Sequence, residues 1–160
     1  MSEIPKWTYK ELEEIDKQHT KAKEIEQEAQ DFKNKNYDLC VRRSQEAFEL
    51  FLKIVFKLLK EKYPPKHELS KQIISIHEKL KPVFKDYFPK DIAKLMIGSK
   101  VLDLWRNISL YGEEKLENVG TFEIFTEKEA ELALDYMSKA SQLCYLVRDY
   151  FYKNASKHTV

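Results

Sequence analysis

Arg106 is the side chain of this sequence best suited to chemistry, and that chemistry is the recognition of phosphate. Its planar guanidinium keeps its charge and can donate two parallel hydrogen bonds to a phosphate group. Asp103, Asn107 and Ser109 lie within about one helical turn of it and complete the predicted ligand site. A structural alternative stays open, in which Asp103 pairs with Arg106 at the C-terminal end of a helix, where positive charge is favourable.

Histidine and cysteine, which often do chemistry in other proteins, form no recognisable site in the sequence. The histidines are His19, His67, His77 and His158. Neither an HExxH pattern nor any other metal-ligand spacing joins them, so we predict no metal site and no cofactor. Cys40 and Cys144 fall on apolar helical stripes and are predicted to be reduced thiols in the core.

The composition excludes several classes of protein. The chain has three glycines, too few in one place for a glycine-rich phosphate loop, and its net charge of +1 gives no general attraction to nucleic acid. No run approaches about 20 apolar residues, and the first ten residues are too polar for a signal peptide, so we expect a cytoplasmic protein without membrane contact. Abundant Lys and Glu are a tendency of hyperthermophiles, although a solvated helical surface explains them equally well.

Apolar periodicity and capping residues predict an all-α fold, an up-down bundle of four or five helices. The predicted helices run from Thr8 to about Lys33, from Tyr37 to Lys62, from Glu68 to Leu80, from Lys90 to Tyr111, and from Thr126 to about Tyr152. Capping boxes at Thr8 and Thr126 open the first and last helices, a pair of prolines ends the second, and Gly112 is placed as the left-handed C-cap of the fourth. Residues 1–153 are expected to form one domain, and residues 154–160 a flexible tail.

The second predicted helix is apolar around most of its circumference. One stripe with 4-3-4-3-4 spacing holds Cys40, Ser44, Ala47, Phe51, Ile54 and Leu58. Such a helix must be covered on several sides, either by other helices or by a second subunit. We therefore predict a homodimer, because two-fold dimers are the commonest homo-oligomers. On the fourth helix, Gly98 predicts the close approach of a neighbouring helix.

Two segments of the sequence resemble the HEPN domain (higher eukaryotes and prokaryotes nucleotide-binding). The first is YD at 37–38 with SQEAFELFLK at 44–53, which is similar to the second helix of that family. The second is WRNISLYG at 105–112, which is similar to the family's Arg-Asn signature and is followed, from Thr126, by a similar last helix. The resemblance extends from Asn36 to Tyr152.

The resemblance implies a helical bundle that often forms homodimers and that, in many prokaryotic members, pairs with a small nucleotidyltransferase as toxin and antitoxin. Many members are metal-independent ribonucleases that use an Arg-x4-6-His motif. Arg106 matches the first position of this motif, but position 111 is Tyr and no histidine occurs in 107–112 or in the loop beyond. Tyrosine, with a free pKa of about 10, is a poor base at neutral pH.

Three functions therefore stay open. The first is a module that binds nucleotide, RNA or a nucleotidyltransferase partner without strong catalysis. The second is a ribonuclease that uses Arg106 with Tyr111 as degenerate catalytic residues, and the third is a purely structural helical adaptor. The missing histidine favours the first over the second.

Overall fold

Five α-helices make up the part of the chain that the structure describes. The computed structural model covers residues 4–65, 68–84, 88–116 and 124–156, and gives the backbone alone for 88–90 and 109–116. The helices are α1 (Tyr9–Phe32), α2 (Tyr37–Leu58), α3 (Leu69–Leu80), α4 (Phe88–Leu116) and α5 (Glu127–Lys153). Within these ranges the only β interaction is an isolated bridge between Thr8 and Ser156. The predicted all-α fold is confirmed.

Of the two predicted capping boxes, the one at α1 forms in the structure and the one at α5 does not. At α1 the box is complete, because the Glu11 N–H donates to Thr8 Oγ1 (3.2 Å) and the Thr8 N–H donates to Glu11 Oε2 (2.8 Å). At α5 the Thr126 hydroxyl donates to the Glu129 carboxylate, and no backbone N–H of the helix bonds to the Thr126 side chain. α5 thus begins where predicted, but without the reciprocal pair of cap hydrogen bonds.

α2 ends at Leu58, four residues before the predicted Lys62, and the prolines at 64–65 do not end it. Lys60 adopts the left-handed conformation (φ 54°). Its N–H donates to Lys57 O (3.0 Å), and the Glu61 N–H donates to Phe56 O (2.8 Å). This pair of hydrogen bonds is the Schellman arrangement, in which a left-handed residue closes a helix. Glycine usually occupies that position, so a lysine there gave no signal in the sequence.

α4 is longer than predicted at both ends, and Gly112 lies inside it instead of capping it. A glycine costs a helix interior only about 1 kcal/mol relative to alanine, so Gly112 need not stop the helix. The prediction for Gly98 is confirmed, because a Cβ built there would lie 2.9 Å from Cγ and Cδ1 of Tyr136 on α5. α4 and α5 therefore approach each other closely at this point.

α2 lies at the centre of the bundle, where α1, α5 and α4 pack around it, while α3 packs on α4. The other helices of the same chain already bury most apolar side chains of α2. The expectation that α2 needs a second subunit to cover it is therefore wrong. Cys40 and Cys144 are both free and fully buried, as predicted. No helix within the described ranges is both long and apolar enough to cross a membrane.

The chain after α5 contacts the chain before α1. The Ser156 N–H donates to Trp7 O (3.0 Å), and the Tyr9 N–H donates to Ser156 O (3.4 Å). Trp7 in turn donates from Nε1 to Leu58 O (2.7 Å), at the end of α2. The rest of the predicted tail, 157–160, lies outside the described residues.

Candidate functional site

Arg106 reaches from α4 towards α2. Its Nη1 lies 3.8 Å from Oε2 of Glu49, and its side chain is 39% exposed. The sequence left open a pairing of Arg106 with Asp103, one turn earlier on the same helix; the ion pair with Glu49 joins two helices. The two segments on which the resemblance rests, at 44–53 and 105–112, therefore meet in space at Arg106 and Glu49.

Glu49 is the centre of a small polar network on α2. Lys53 Nζ lies 3.0 Å from its Oε1, and Gln45 Nε2 donates to its Oε2 (3.1 Å). Gln45, Glu49 and Lys53 are spaced four residues apart, which places them in one row on a helix. With Arg106 on the other side, one carboxylate holds two cations close to each other. No motif in the sequence marks Glu49 as a site residue, although its four-residue spacing from Gln45 and Lys53 can be read from the sequence.

An open cleft of about 300 Å³ lies beside this network, a volume that includes the solvent at its mouth. Its lining residues come from α2, α3, α4 and the segment after α2: they are Gln45, Phe48, Glu49, Tyr63, Leu69, Ser99, Leu102 and Asp103. The lining thus combines an apolar floor with a few convergent polar groups, which is typical of ligand-binding clefts.

Tyr63 is the aromatic wall of the cleft. Burial raises the pKa of its phenol, and the negative charges of Glu49 and Asp103 raise it further, so the group stays protonated and can act only as a neutral hydrogen-bonding partner. Lys53 Nζ lies 5.4 Å from the centre of the Tyr63 ring, within the range of a cation–π interaction. Tyr63 was not identified from the sequence, because its isolated position after α2 matches no motif.

Of the other predicted site residues, only Asn107 has a side chain within the described part of the chain. Asn107 is exposed, and the side chains of Ser109 and Tyr111 lie outside what the structure describes. The α4 backbone continues through position 111 to Leu116, so positions 106 and 111 lie about 140° apart around the helix axis. The helix end therefore lacks the distortion that would bring the two positions together within one chain.

A second polar cluster ties α1 to α5 and is separate from the cleft. Arg148 donates from Nε to Asp16 Oδ1 (2.6 Å) and from Nη2 to Asp16 Oδ2 (3.0 Å), and the Tyr152 hydroxyl also donates to Asp16. His19 is half-buried nearby, and burial lowers its pKa, as does the charge of Arg148. The bidentate pair satisfies both partners, so the cluster is a structural tie between helices.

The described residues contain no group of three or more His, Cys, Asp and Glu side chains placed to hold a metal ion. His77 lies on α3, whereas His67 and His158 fall outside the described ranges. No histidine occurs among the residues that line the cleft. The described lining of the cleft therefore offers no imidazole for proton transfer, and the cations nearest to it, Arg106 and Lys53, are both paired with Glu49.

Comparison with known proteins identifies one family. A family model of the HEPN domain matches residues 11–147, most of the chain, including most of α1, which the resemblance from Asn36 onward did not include. Neither a curated protein nor a solved structure matches the chain.

Proposed function

Since this chain belongs to the HEPN domain family, we propose that it is a nucleotide- or RNA-binding module of that family with little or no catalytic activity. One observation carries the proposal. Arg106 and Lys53, more than fifty residues apart in sequence, flank the same carboxylate at the edge of an open cleft. A phosphate group that displaces Glu49 from Arg106 would meet a cation at the edge of the cleft.

The ion pair that holds Arg106 is weak enough to be exchanged. Close charge-assisted hydrogen bonds span about 2.7–2.9 Å, whereas Arg106 Nη1 lies 3.8 Å from Glu49. A phosphate can therefore take over the guanidinium by forming shorter, bidentate bonds. Glu49 keeps its bonds to Lys53 and Gln45 when this happens, so its charge is not left without a partner.

A binding screen tests this assignment. Nucleoside mono-, di- and triphosphates and short single-stranded RNA are added to the purified protein, and the shift in melting temperature is recorded. Arg106→Ala should remove the shift, because hydrogen bonds to a charged group contribute about 1.5–3 kcal/mol, or roughly 10–100-fold in affinity.

Arg43→Ala is the matched control for Arg106→Ala. Arg43 is similarly exposed (37%), but it pairs with Glu28 and Glu46, away from the cleft, so its loss should leave the shift unchanged. Absence of any shift with wild-type protein across the panel would refute ligand binding and favour the purely structural adaptor. If Arg106→Ala and Arg43→Ala reduce the ligand-induced shift in melting temperature equally, the phosphate does not bind specifically at Arg106.

The absence of strong catalysis is proposed because the family's histidine is replaced by Tyr111. General acid–base catalysis contributes typically 10²–10⁴-fold to a rate, so RNA cleavage in the presence of EDTA should stay near background. Tyr111→His recreates the Arg-x4-His spacing and should raise cleavage above wild type if the rest of the site is intact. Robust wild-type cleavage that Tyr111→Phe abolishes would support the alternative, a ribonuclease that uses Arg106 and Tyr111.

We further propose a homodimer in the cytoplasm that works with a small nucleotidyltransferase as a toxin–antitoxin pair. Support for this pairing comes from the family alone, whose members commonly dimerise and act with partners. The test is to identify the genes adjacent to this one and to co-express any nucleotidyltransferase with a tagged form of this chain. Co-purification in a fixed ratio is the expected result, and an unrelated gene neighbourhood together with no complex would contradict it.

A further inference from the structure

Residues 4–8, the strap before α1, contact the end of α2. Ile4 and Trp7 pack against the apolar core, and Trp7 donates from Nε1 to Leu58 O (2.7 Å). Leu58 is the last residue of α2, and the carbonyl groups in the last turn of a helix have no partner within that helix. The indole of Trp7 therefore caps α2 from outside the helix.

Lys60 turns the chain away from α2 in a conformation that lysine rarely adopts. Its φ of 54° is left-handed, which is costly for a residue other than glycine. Strained residues of this kind persist where their surroundings hold them. At Lys60 the strap contributes such a hold, because the ammonium group lies 4.8 Å from the centre of the Trp7 ring, within the range of a cation–π interaction. Trp7 thus contacts both the last carbonyl of α2 and the residue that closes the helix.

The turn at Lys60 determines where Tyr63 lies. Three residues of extended chain span at most about 11 Å, so the direction of the turn decides whether Tyr63 reaches the cleft. The Tyr63 ring packs edge-on against Phe56 of α2, with 5.1 Å between the ring centres, and lines the cleft beside Glu49. We propose that Trp7 is a positioning residue for the candidate site: by holding the turn at Lys60, it keeps the Tyr63 ring in the wall of the cleft.

The strap is itself held by the chain that follows α5. The Ser156 N–H donates to Trp7 O (3.0 Å), and the Tyr9 N–H donates to Ser156 O (3.4 Å). Trp7 and Ser156 both lie outside residues 11–147, which the HEPN model matches. The matched domain therefore supplies the cleft, and the chain on either side of that domain supplies the residues that hold the turn beside it.

NMR of protein that carries ¹³C-labelled tyrosine measures the position of Tyr63 without any ligand. The Tyr63 signal is assigned with Tyr63→Phe, and its exposure is measured from its broadening by a soluble gadolinium chelate. Trp7→Phe keeps an aromatic ring in the core but loses the hydrogen bond to Leu58, which shifts the equilibrium between the held and the released turn by about fivefold. The broadening of the Tyr63 signal should therefore increase. Asp38→Ala, at the opposite end of α2, is the control and should leave the signal unchanged.

Lys60→Gly distinguishes a held turn from a general loss of stability. Glycine adopts the left-handed conformation without strain, so the turn no longer depends on Trp7. In the double variant of Trp7→Phe and Lys60→Gly, the broadening of the Tyr63 signal should return to the wild-type value. A Tyr63 signal that Trp7→Phe does not change, or a change that Lys60→Gly does not reverse, would overturn the proposal.

RNA affinity tests the consequence for the candidate site, a consequence that rests on the proposed function. Loss of an aromatic ring that stacks on a base weakens single-strand binding by about 5–150-fold, so Tyr63→Ala should bind a short single-stranded RNA more weakly by a factor in this range. Trp7→Phe should weaken binding by up to about fivefold. Since Trp7 acts through Tyr63, Trp7→Phe should cause no further loss in a Tyr63→Ala background.

The outcomes separate the role of Trp7 from the proposed function. An equal effect of Trp7→Phe with and without the Tyr63 ring, or a Tyr63→Ala variant with wild-type affinity, would overturn Trp7 as a positioning residue for the site. Wild-type protein that binds no RNA would refute the proposed function instead. The NMR signal of Tyr63 would then still decide whether Trp7 holds the turn.

Discussion

Replacing Gly98 with alanine should destabilise the protein, although alanine is the better helix former. The new Cβ would lie 2.9 Å from two ring carbons of Tyr136 and 3.1 Å from its Cβ, and atoms so close to the α5 backbone cannot swing aside. Overpacking of this kind costs about 1–3 kcal/mol, and the gain in helix propensity offsets about 1 kcal/mol of it. We therefore expect a net loss of about 1 kcal/mol in the free energy of unfolding, measured by urea titration with circular dichroism.

The Tyr136→Ala background separates the two opposing effects. Without the ring, Gly98→Ala should become stabilising, because the helix-propensity gain remains and most of the clash is removed. A single Gly98→Ala variant more stable than wild type would refute the reasoning. It would mean that α4 and α5 do not approach closely at this point, and it would weaken the placement of α4 that brings Arg106 to α2.

Further predictions concern the tie between α1 and α5, the start of α5, and the thiols. Asp16→Asn should lower the unfolding free energy by about 1–3 kcal/mol at pH 7, since it weakens charge-assisted hydrogen bonds. Burial opposes ionisation of Asp16, but the hydrogen bonds from Arg148 and Tyr152 and the positive charge of Arg148 together outweigh it and lower the pKa of the carboxyl. Because this folded-state pKa lies below the unfolded value of about 3.9, the stabilisation is complete above that pH. The difference between wild type and Asp16→Asn in urea titrations should therefore shrink as the pH falls below about 4. Asp38→Ala should lower the melting temperature, because the Asp38 carboxylate accepts two backbone N–H groups just before α5, at 2.9 and 3.0 Å; an unchanged value would show that these bonds do not hold the helix start. Burial raises the pKa of the Cys40 thiol, and raises that of Cys144 to about 12, so a thiol reagent such as Ellman's should react with neither until the protein unfolds, and rapid reaction of the native protein would contradict their burial.

Local signals in the sequence predicted the helices better than they predicted the helix ends. Thr8 with Glu11 fixes the start of α1 by contacts within four residues, which a sequence motif can encode. The end of α2 depends on a left-handed lysine, Lys60, and no residue-type rule marks that position. Gly112 was interpreted as a cap because glycine is common there, yet the helix continues through it.

Only some residues of the candidate site could be predicted from the sequence, because the others come together only when the helices pack. Arg106 could be chosen from its chemistry, and Asp103 was the partner that helical spacing within one element suggests. Glu49 approaches Arg106 only after α4 has packed against α2, and Tyr63 lines the cleft from the segment that follows α2. Contacts between distant elements depend on packing angles, which periodicity in a single helix does not reveal. The apolar circumference of α2, which suggested a dimer, is covered by α1, α4 and α5 of the same chain.

The affinity of Glu49→Gln for RNA tests the central claim, that a phosphate competes with Glu49 for Arg106. A labelled single-stranded RNA of about eight nucleotides is titrated into wild type, Glu49→Gln, Arg106→Ala and the double variant, with fluorescence anisotropy as the readout. Removing one nearby charge close to water is worth about 1 kcal/mol, so Glu49→Gln should bind about fivefold tighter than wild type, with much less gain when Arg106 is absent. Binding that weakens in Glu49→Gln, or a gain that is equally large without Arg106, would contradict the account.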